Sequence, residues 1–392
     1  MFSKVLTSTA QNLNVESWNA TSREITPDCP IRWSITKSEL HGGKQDGVDI
    51  IVIDNGKLQI RIIPTRGMSL FSVTNGDLRL GWDSPVKEIV NPRNINLQAR
   101  GGLGWLEGFN EFLVRCGLEN NGHPGVDKFI NNVGDEATME LTLHGKIGNI
   151  PAQEVEVSVE RQAPYRIRVR GRVDERSFYG PKLELWTTLS TTPGSSTFQI
   201  EDTITNHGAD SQEFELLYHT NFGHPVLEEG ATFIAPIERL TPFNANAAKG
   251  VKGFETYAGP KLGFIEQVYC MKLLTGSGGQ TMVMLQNRGK DRGVSMAFST
   301  EQLPFFTLWK NTAAENDGYV TGLEPGTNFP SNRRIERKAG RVPKLAAGAS
   351  RSFAIEFAIH TGSEQVKQAA ERIAAIQGSR KTMVDEEPAK VE

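Results

Sequence analysis

VDIIVIDNGKLQIRIIP, Val48 to Pro64, decides the fold class. Apolar and polar residues alternate through VDIIVID, stop at Asn55-Gly56, and alternate again from Leu58 to Pro64. Period-two patterning on both sides of Asn-Gly is the strongest short-range signal for a β-hairpin, because those two residues tolerate the positive φ that a tight turn needs. A second copy follows at once, with Met68 to Val73, then Asn75-Gly76, then Leu78 to Trp82. Outward from this pair, strand-like runs recur at Ala137–His144, Glu154–Glu160, Tyr165–Val173, Leu183–Thr191 and Phe198–Thr205. They continue at Glu213–Tyr218, Thr281–Gln286, Val294–Ser299, Phe305–Lys310, Tyr319–Leu323 and Ser352–His360.

Tyr165–Val173 shows what such a strand does. Ile167, Val169, Gly171 and Val173 share one face, and Arg166, Arg168, Arg170 and Arg172 share the other, which gives one dry side and one wet side. Four arginines on a face suit an anion-binding surface or, more simply, a solvated sheet. The exception to the β pattern is Ser363–Gln377, where Val366, Ala369, Ala370, Ile373 and Ala374 fall on one helical stripe, with Ser363 as the expected N-cap and Gly378 as the stop. The expected architecture is all-β and antiparallel over residues 48–362, as a large two-sheet sandwich or a barrel. An N-terminal extension (1–47) packs on it, a C-terminal helix (363–378) covers it, and a disordered tail (379–392) follows.

The 392 residues carry 43 Lys+Arg against 46 Asp+Glu, a net charge of -3, so no broad electrostatic field selects nucleic acid or an anionic membrane as the partner. No run of apolar residues is long enough for a membrane span, and the first twenty residues have no apolar core of a secretory signal, so a cytoplasmic location is expected. Three widely spaced cysteines, Cys29, Cys116 and Cys270, suit neither a disulfide framework nor a four-ligand zinc site. The 39 glycines and 19 prolines close turns, but one glycine cluster exceeds what turns require.

That cluster is Gly101–Gly122, GGLGWLEGFNEFLVRCGLENNG, read as an irregular loop with a short helix that presents Trp105, Glu107 and Arg115 among core aromatics. An arginine between Val114 and Cys116 needs a specific partner if it is buried. His144 ends a strand before Gly145, and His219, Asn221 and His224 lie on or just after an apolar strand. Because residues five apart on a strand face opposite ways, His219 and His224 do not make a metal pair. Glu324 follows an apolar strand and precedes Pro325-Gly326, near Trp309 and Lys310, where a carboxyl can be tuned by burial or pairing.

Taken in order, PTRGMSLFSV (64–73), the glycine cluster (101–122), LHGKIGNIPA (143–152), LLYHTNFGHP (216–225) and YVTGLEPGTNFPSNR (319–333) resemble the aldose 1-epimerase, or galactose mutarotase-like, superfamily across roughly residues 48–361. The resemblance implies a β-supersandwich that binds a sugar, with His219 as general acid, Glu324 as general base, and Arg115 and His144 as sugar contacts. It implies no metal and no organic cofactor. The run Tyr218-His219-Thr220-Asn221-Phe222 departs from the family's usual sequence around the acid, and no equivalent of its substrate-binding Asp is evident. Trp105 or Trp309 would stack on the sugar, and Glu107, Asn221, Lys310, Arg66 and Asn328 are further candidate contacts. Mutarotation needs one group to take the C1 hydroxyl proton and another to protonate the ring oxygen, which a carboxylate and an imidazolium on opposite sides of the ring supply. Two alternatives stand beside it: a sugar-binding protein without catalysis, or another carbohydrate isomerase, lyase or hydrolase on the same scaffold. Hydrolysis would ask for a second carboxylate, for which Glu107, Glu119 and Glu255 are the candidates.

Overall fold

The alternation around Asn55-Gly56 becomes a hairpin of strands Val48–Asp54 and Gln59–Ile63 in the computed structural model, which describes residues 1–389. Gly56 takes φ +86°, and Asn55 Oδ1 accepts from the backbone N–H of Lys57 and Leu58. The Asn55 amide donates across to Thr191 Oγ1 and to the carbonyls of Thr192 and Ser195, so the turn also pins one sheet to a turn of the other. The first strand buries Ile51 and Ile53 in the main core and Val48 and Ile50 in a smaller cluster on its other face, and burying such apolar surface is the main favourable term in the fold.

Among the described residues, the strands form a ten-stranded and a thirteen-stranded sheet with two small two-stranded sheets, in nearly uniform antiparallel pairing. The core lies between the two large sheets and runs the length of the sandwich. Strand Ile167–Arg176 belongs to the ten-stranded sheet and buries Ile167, Val169 and Val173. On its outer face Arg168 pairs with Glu160, Arg172 lies 3.5 Å from both Glu154 and Asp174, and Arg170 stacks 3.8 Å over the Trp186 ring.

Some segments differ from their sequence-based reading. The first 47 residues, expected as an extension, contribute strands to the edges of both sheets: Phe2–Ser8 pairs with Glu154–Val159, and Trp18–Thr21 and Ser34–Leu40 extend the larger sheet beyond the first hairpin. Glu136–Leu141 stops short of His144 and pairs with Gly125–Ile130 in a separate hairpin. The glycine-rich segment holds two short helical turns, Ala99–Gly102 and Gly104–Glu107, and then a strand, Leu113–Leu118, buried at every residue. Ile237–Pro242 and Gln267–Leu273 are strands that alternation alone did not single out.

The C-terminal helix spans Ser363–Gln377 and buries Val366, Ala369 and Ile373 against Met282 and Met284. Its N-cap is Gly362, not Ser363, which is the first helical residue. In the tail expected to be disordered, Met383–Val384 pairs in parallel with Arg239–Leu240, and Asp385 accepts two bonds from Arg239. Residues 390–392 of that tail lie outside the described residues. No helix among the described residues is long and apolar enough to cross a membrane.

Candidate active site

Strand Glu215–Phe222 lies between Leu113–Leu118 and Val320–Gly326 in the middle of the larger sheet, and Phe305–Asn311 follows on. The register pairs Thr220 with Leu323 and Asn221 with Gly322, so His219 and Glu324 fall opposite each other. Glu324 pairs in turn with Thr307. Side chains alternate along each strand, so His219, Glu324 and Thr307 share the outer face, while Tyr218 points into the core.

Above this rung is a cavity of about 200 Å³, with Trp105, Phe109 and Trp309 among its walls and His144 beside His219. That is smaller than the roughly 300–1,000 Å³ typical of drug-sized ligand pockets, and it suits a single small ring. His219 Nε2 lies 3.2 Å from Glu324 Oε1. The two are not aligned as a hydrogen bond: Glu324 Oε1 is buried without a hydrogen-bond partner, and so is Thr307 Oγ1. A buried polar atom left unpaired costs about 1–3 kcal/mol, so both atoms are poised for a polar ligand.

The orientation of His219 is set from behind. Its Nδ1 lies 2.7 Å from Asn221 Oδ1. The Asn221 amide nitrogen donates to the carbonyls of Glu111 and His219, which makes Oδ1 the acceptor and puts the His219 proton on Nδ1. Nε2 is thereby left to face Glu324. The Glu111 carboxylate is in turn held by Arg66, 2.6 Å away and equally buried. Asn221 and Arg66, both expected to touch sugar, are placed as successive braces behind the imidazole.

His144 has a similar brace. Its Nδ1 donates to the Asn121 carbonyl at 2.8 Å, which leaves Nε2 free. Asn121 is fixed by Asn328 and by the Glu215 carboxyl, so Asn328 also stands behind the site. His144 adopts φ +58°, a region costly for a non-glycine residue, and Gly145 follows at +69°. A Cβ on Gly145 would collide with the carbonyls of Asn120 and Gly117, so only glycine allows this turn.

Arg115 does not line the cavity. It pairs with Tyr218 in the register, one residue away from the partner of His219, and therefore points into the core. There it forms a buried ion pair with Asp202 of the opposite sheet, joined by Thr187 and by the Tyr218 hydroxyl, 2.8 Å from Asp202. Lys310 also points away, donating to the carbonyls of Phe254 and Thr256 at 2.7 Å. Glu107 is half-buried and off the cavity, and His224 is on the surface, 2.9 Å from Glu315. Of the alternative carboxylates, Glu119 is paired with Lys146.

Thr307, Phe109 and Glu266 complete the site without having been singled out. Thr307 was within reach of the sequence, since residues two apart on a strand share a face and Trp309 was a candidate. Glu266, at the end of a loop, carried no such signal; its Oε2 accepts from Trp309 Nε1 at 2.7 Å and holds that ring at the cavity wall.

Burial dominates the electrostatics. It pushes the Glu324 carboxyl well above the usual carboxylate range, and nearby Glu266 adds to the shift. Burial, then the neighbouring His144, holds His219 well below the usual imidazole range. Desolvation likewise lowers His144 to about 4. His144 is thus a neutral acceptor at neutral pH. Because its folded pKa is depressed, the native state binds fewer protons than the unfolded chain between pH 6.5 and 4, and stability should fall as pH drops through that window. The expected loss is about 3 kcal/mol, and urea unfolding at pH 7 and pH 4 should show His144→Gln losing less than wild type does.

Gly322 is a second glycine the site requires. A Cβ there would run into Glu324 Oε1, because the carboxyl leans over residue 322 toward Trp309. Gly322→Ala is therefore expected to displace the carboxyl and lower turnover by about 10²-fold, the scale of a misplacement near 1 Å, with little change in the melting temperature.

Among the described residues, no three His, Cys, Asp or Glu side chains are grouped to hold a metal ion. A family model described as "Domain of unknown function (DUF4432)" matches residues 45–359. The chain belongs to this family. A Klebsiella pneumoniae structure described as a "putative aldose 1-epimerase" is 43% identical, with a TM-score of 0.94 and 100% of each chain covered. Two more distant structures share the fold of this DUF4432 protein. A "galactose mutarotase-like protein" from Clostridium acetobutylicum has 13% identity and a TM-score of 0.55, covering 89% of this chain and 100% of its own. An Escherichia coli "putative aldose 1-epimerase" has 14% identity and a TM-score of 0.53, covering 80% and 100%. The fold is thus the galactose mutarotase-like sandwich. No curated protein matches the sequence.

Proposed function

We propose that this DUF4432 protein interconverts the α and β anomers of an aldose, with Glu324 and His219 as its acid–base pair. The observation that carries the reading is the unpartnered Glu324 Oε1, 3.2 Å from His219 Nε2 beside a ring-sized, aromatic-walled cavity. The 43% identical Klebsiella protein supports the same substrate class.

Ring opening breaks the C1–O bond to the ring oxygen and forms the C1 carbonyl. One proton leaves the C1 hydroxyl and one reaches the ring oxygen; rotation about C1–C2 and the reverse transfers then give the other anomer. Glu324 takes the first proton and His219 gives the second, from one side of the ring rather than the two expected, because the two groups are 3.2 Å apart on one sheet face. Burial favours the uncharged pair at rest, a carboxylic acid and a neutral imidazole, and this pair holds the same number of protons as the carboxylate and imidazolium that start the reaction. Moving one proton between Oε1 and Nε2 converts one form to the other. Hydroxyl groups of the bound sugar stabilise the ionised form by hydrogen bonding to it. His144 Nε2 and Thr307 Oγ1 accept or share ring hydroxyl protons, and Trp105 and Trp309 flank the ring.

General acid–base catalysis of this kind contributes about 10²–10⁴-fold. Polarimetry or NMR exchange over a panel of aldoses should show acceleration by wild type and a loss of about two orders of magnitude or more in His219→Ala. Equal rates in the two proteins would remove His219 from the mechanism.

A further inference from the structure

We infer that the substrate is an uncharged aldose without oxygen on C6, a 6-deoxyhexose. The inference rests on the roles of Glu324 and His219 proposed above. In a pyranose the ring oxygen is bonded to C1 and C5, so the group that protonates this oxygen also faces whatever C5 carries. His219 works from within a cage of rings: the centroids of Phe109, Trp309 and Trp105 lie 5.1, 5.3 and 6.0 Å from its own. Leu103, Leu143 and Val268 add further apolar wall. A methyl group on C5 gains burial against this carbon wall, whereas a hydroxymethyl group would set a hydroxyl against a lining that is mostly apolar. The polar groups are few: Glu324, 3.2 Å from His219, His144, whose ring centroid is 5.2 Å from that of His219, Thr307, His123 and Glu266.

Charge points the same way. No Lys or Arg is among the described residues lining the cavity, while two carboxyl groups, Glu324 and Glu266, are. The cations that the sequence offered for the site are committed: Arg115 to Asp202, Arg66 to Glu111, and Lys310 to backbone carbonyls. Burial also holds His123, at the cavity edge, below the usual imidazole range. A sugar phosphate or uronate would enter with no cation to meet its charge, and recognition of such groups ordinarily uses one.

The test is calorimetric binding together with NMR anomer exchange on the wild-type protein. The panel pairs each 6-deoxyhexose with its parent hexose, the 6-phosphate and the hexuronate, in the gluco, galacto and manno configurations of both D and L series. The expected result is one 6-deoxyhexose bound and exchanged with an efficiency about 10- to 100-fold above its parent, the range an apolar pocket achieves against an added hydroxyl, with no binding of the anionic forms. A parent hexose equal or superior to its 6-deoxy counterpart, or binding of a phosphate or uronate, overturns the substrate class. Selective binding of a 6-deoxyhexose without faster exchange keeps the substrate class and overturns the catalytic reading. No binding by any sugar overturns both.

Discussion

Glu324→Gln is expected to lower the rate of anomer exchange by about 10²–10⁴-fold without lowering the melting temperature. The amide fills the same space over Gly322 but cannot carry the proton that must leave the C1 hydroxyl. On the stability side the change removes a liability, because a buried carboxyl with an unpartnered oxygen opposes folding whenever it ionises. The sign follows from linkage: the folded pKa is raised, so the native state holds the proton longer than the unfolded chain, and stability declines as pH rises above about 4.5. Glu324→Gln should lack that decline and be at least as stable as wild type at pH 8. An inactive, more stable variant is the usual signature of a site that trades stability for function. Full activity in Glu324→Gln would show that this carboxyl does not handle a proton in the reaction.

Arg115→Ala is expected to cost about 3–5 kcal/mol of stability, the penalty for leaving one member of a buried ion pair uncompensated. Asp202 would stay fully buried, between sheets, with only Thr187 and Tyr218 to satisfy it. Against a total stability of about 5–15 kcal/mol, this loss decides how much of the protein is folded. Arg115→Lys should recover little, since the guanidinium reaches Asp202, Thr187 and the Met68 carbonyl at once and an ammonium on a flexible stem does not. The double variant Arg115→Met with Asp202→Leu should recover most of the loss, because neither charge then remains buried alone. Urea unfolding measures all three. A weakened KM at unchanged stability in Arg115→Ala would instead place this arginine on the sugar.

These two residues also show where the sequence was legible and where it was not. Period-two patterning and Asn55-Gly56 report local geometry, so the antiparallel strands could be read directly, as could the C-terminal helix from its own stripe, while the choice of sandwich over barrel came from the resemblance. Glu324 and His219 were named together only by the resemblance their motifs carry, and the strand register brings the two side chains together. Arg115 could be recognised as needing a partner if buried, but not which way it faced. Its direction depends on the pairing of Leu113–Leu118 with Glu215–Phe222, about a hundred residues apart in the chain, where a shift of one residue reverses every side chain. Asp202 was unreadable for the same reason, since it lies on the other sheet and meets Arg115 only after both sheets close. Arg66, Asn221 and Asn328 carry the right chemistry for a sugar site, but a polar residue in a motif can hold a catalytic group as readily as it can hold a ligand. Glu266 lies in a loop without periodicity, and only the folded chain brings it to Trp309.

The most direct measurement is a crystal structure of the wild-type protein soaked with an aldose that it binds, which is feasible because the reaction is an equilibrium and leaves the sugar in place. The ring should lie in the cavity between Trp105 and Trp309, with the C1 hydroxyl within hydrogen-bond reach of the Glu324 carboxyl and the ring oxygen within reach of His219 Nε2. A ring seated elsewhere, or one with C1 and the ring oxygen turned away from this pair, would contradict the assignment of Glu324 and His219.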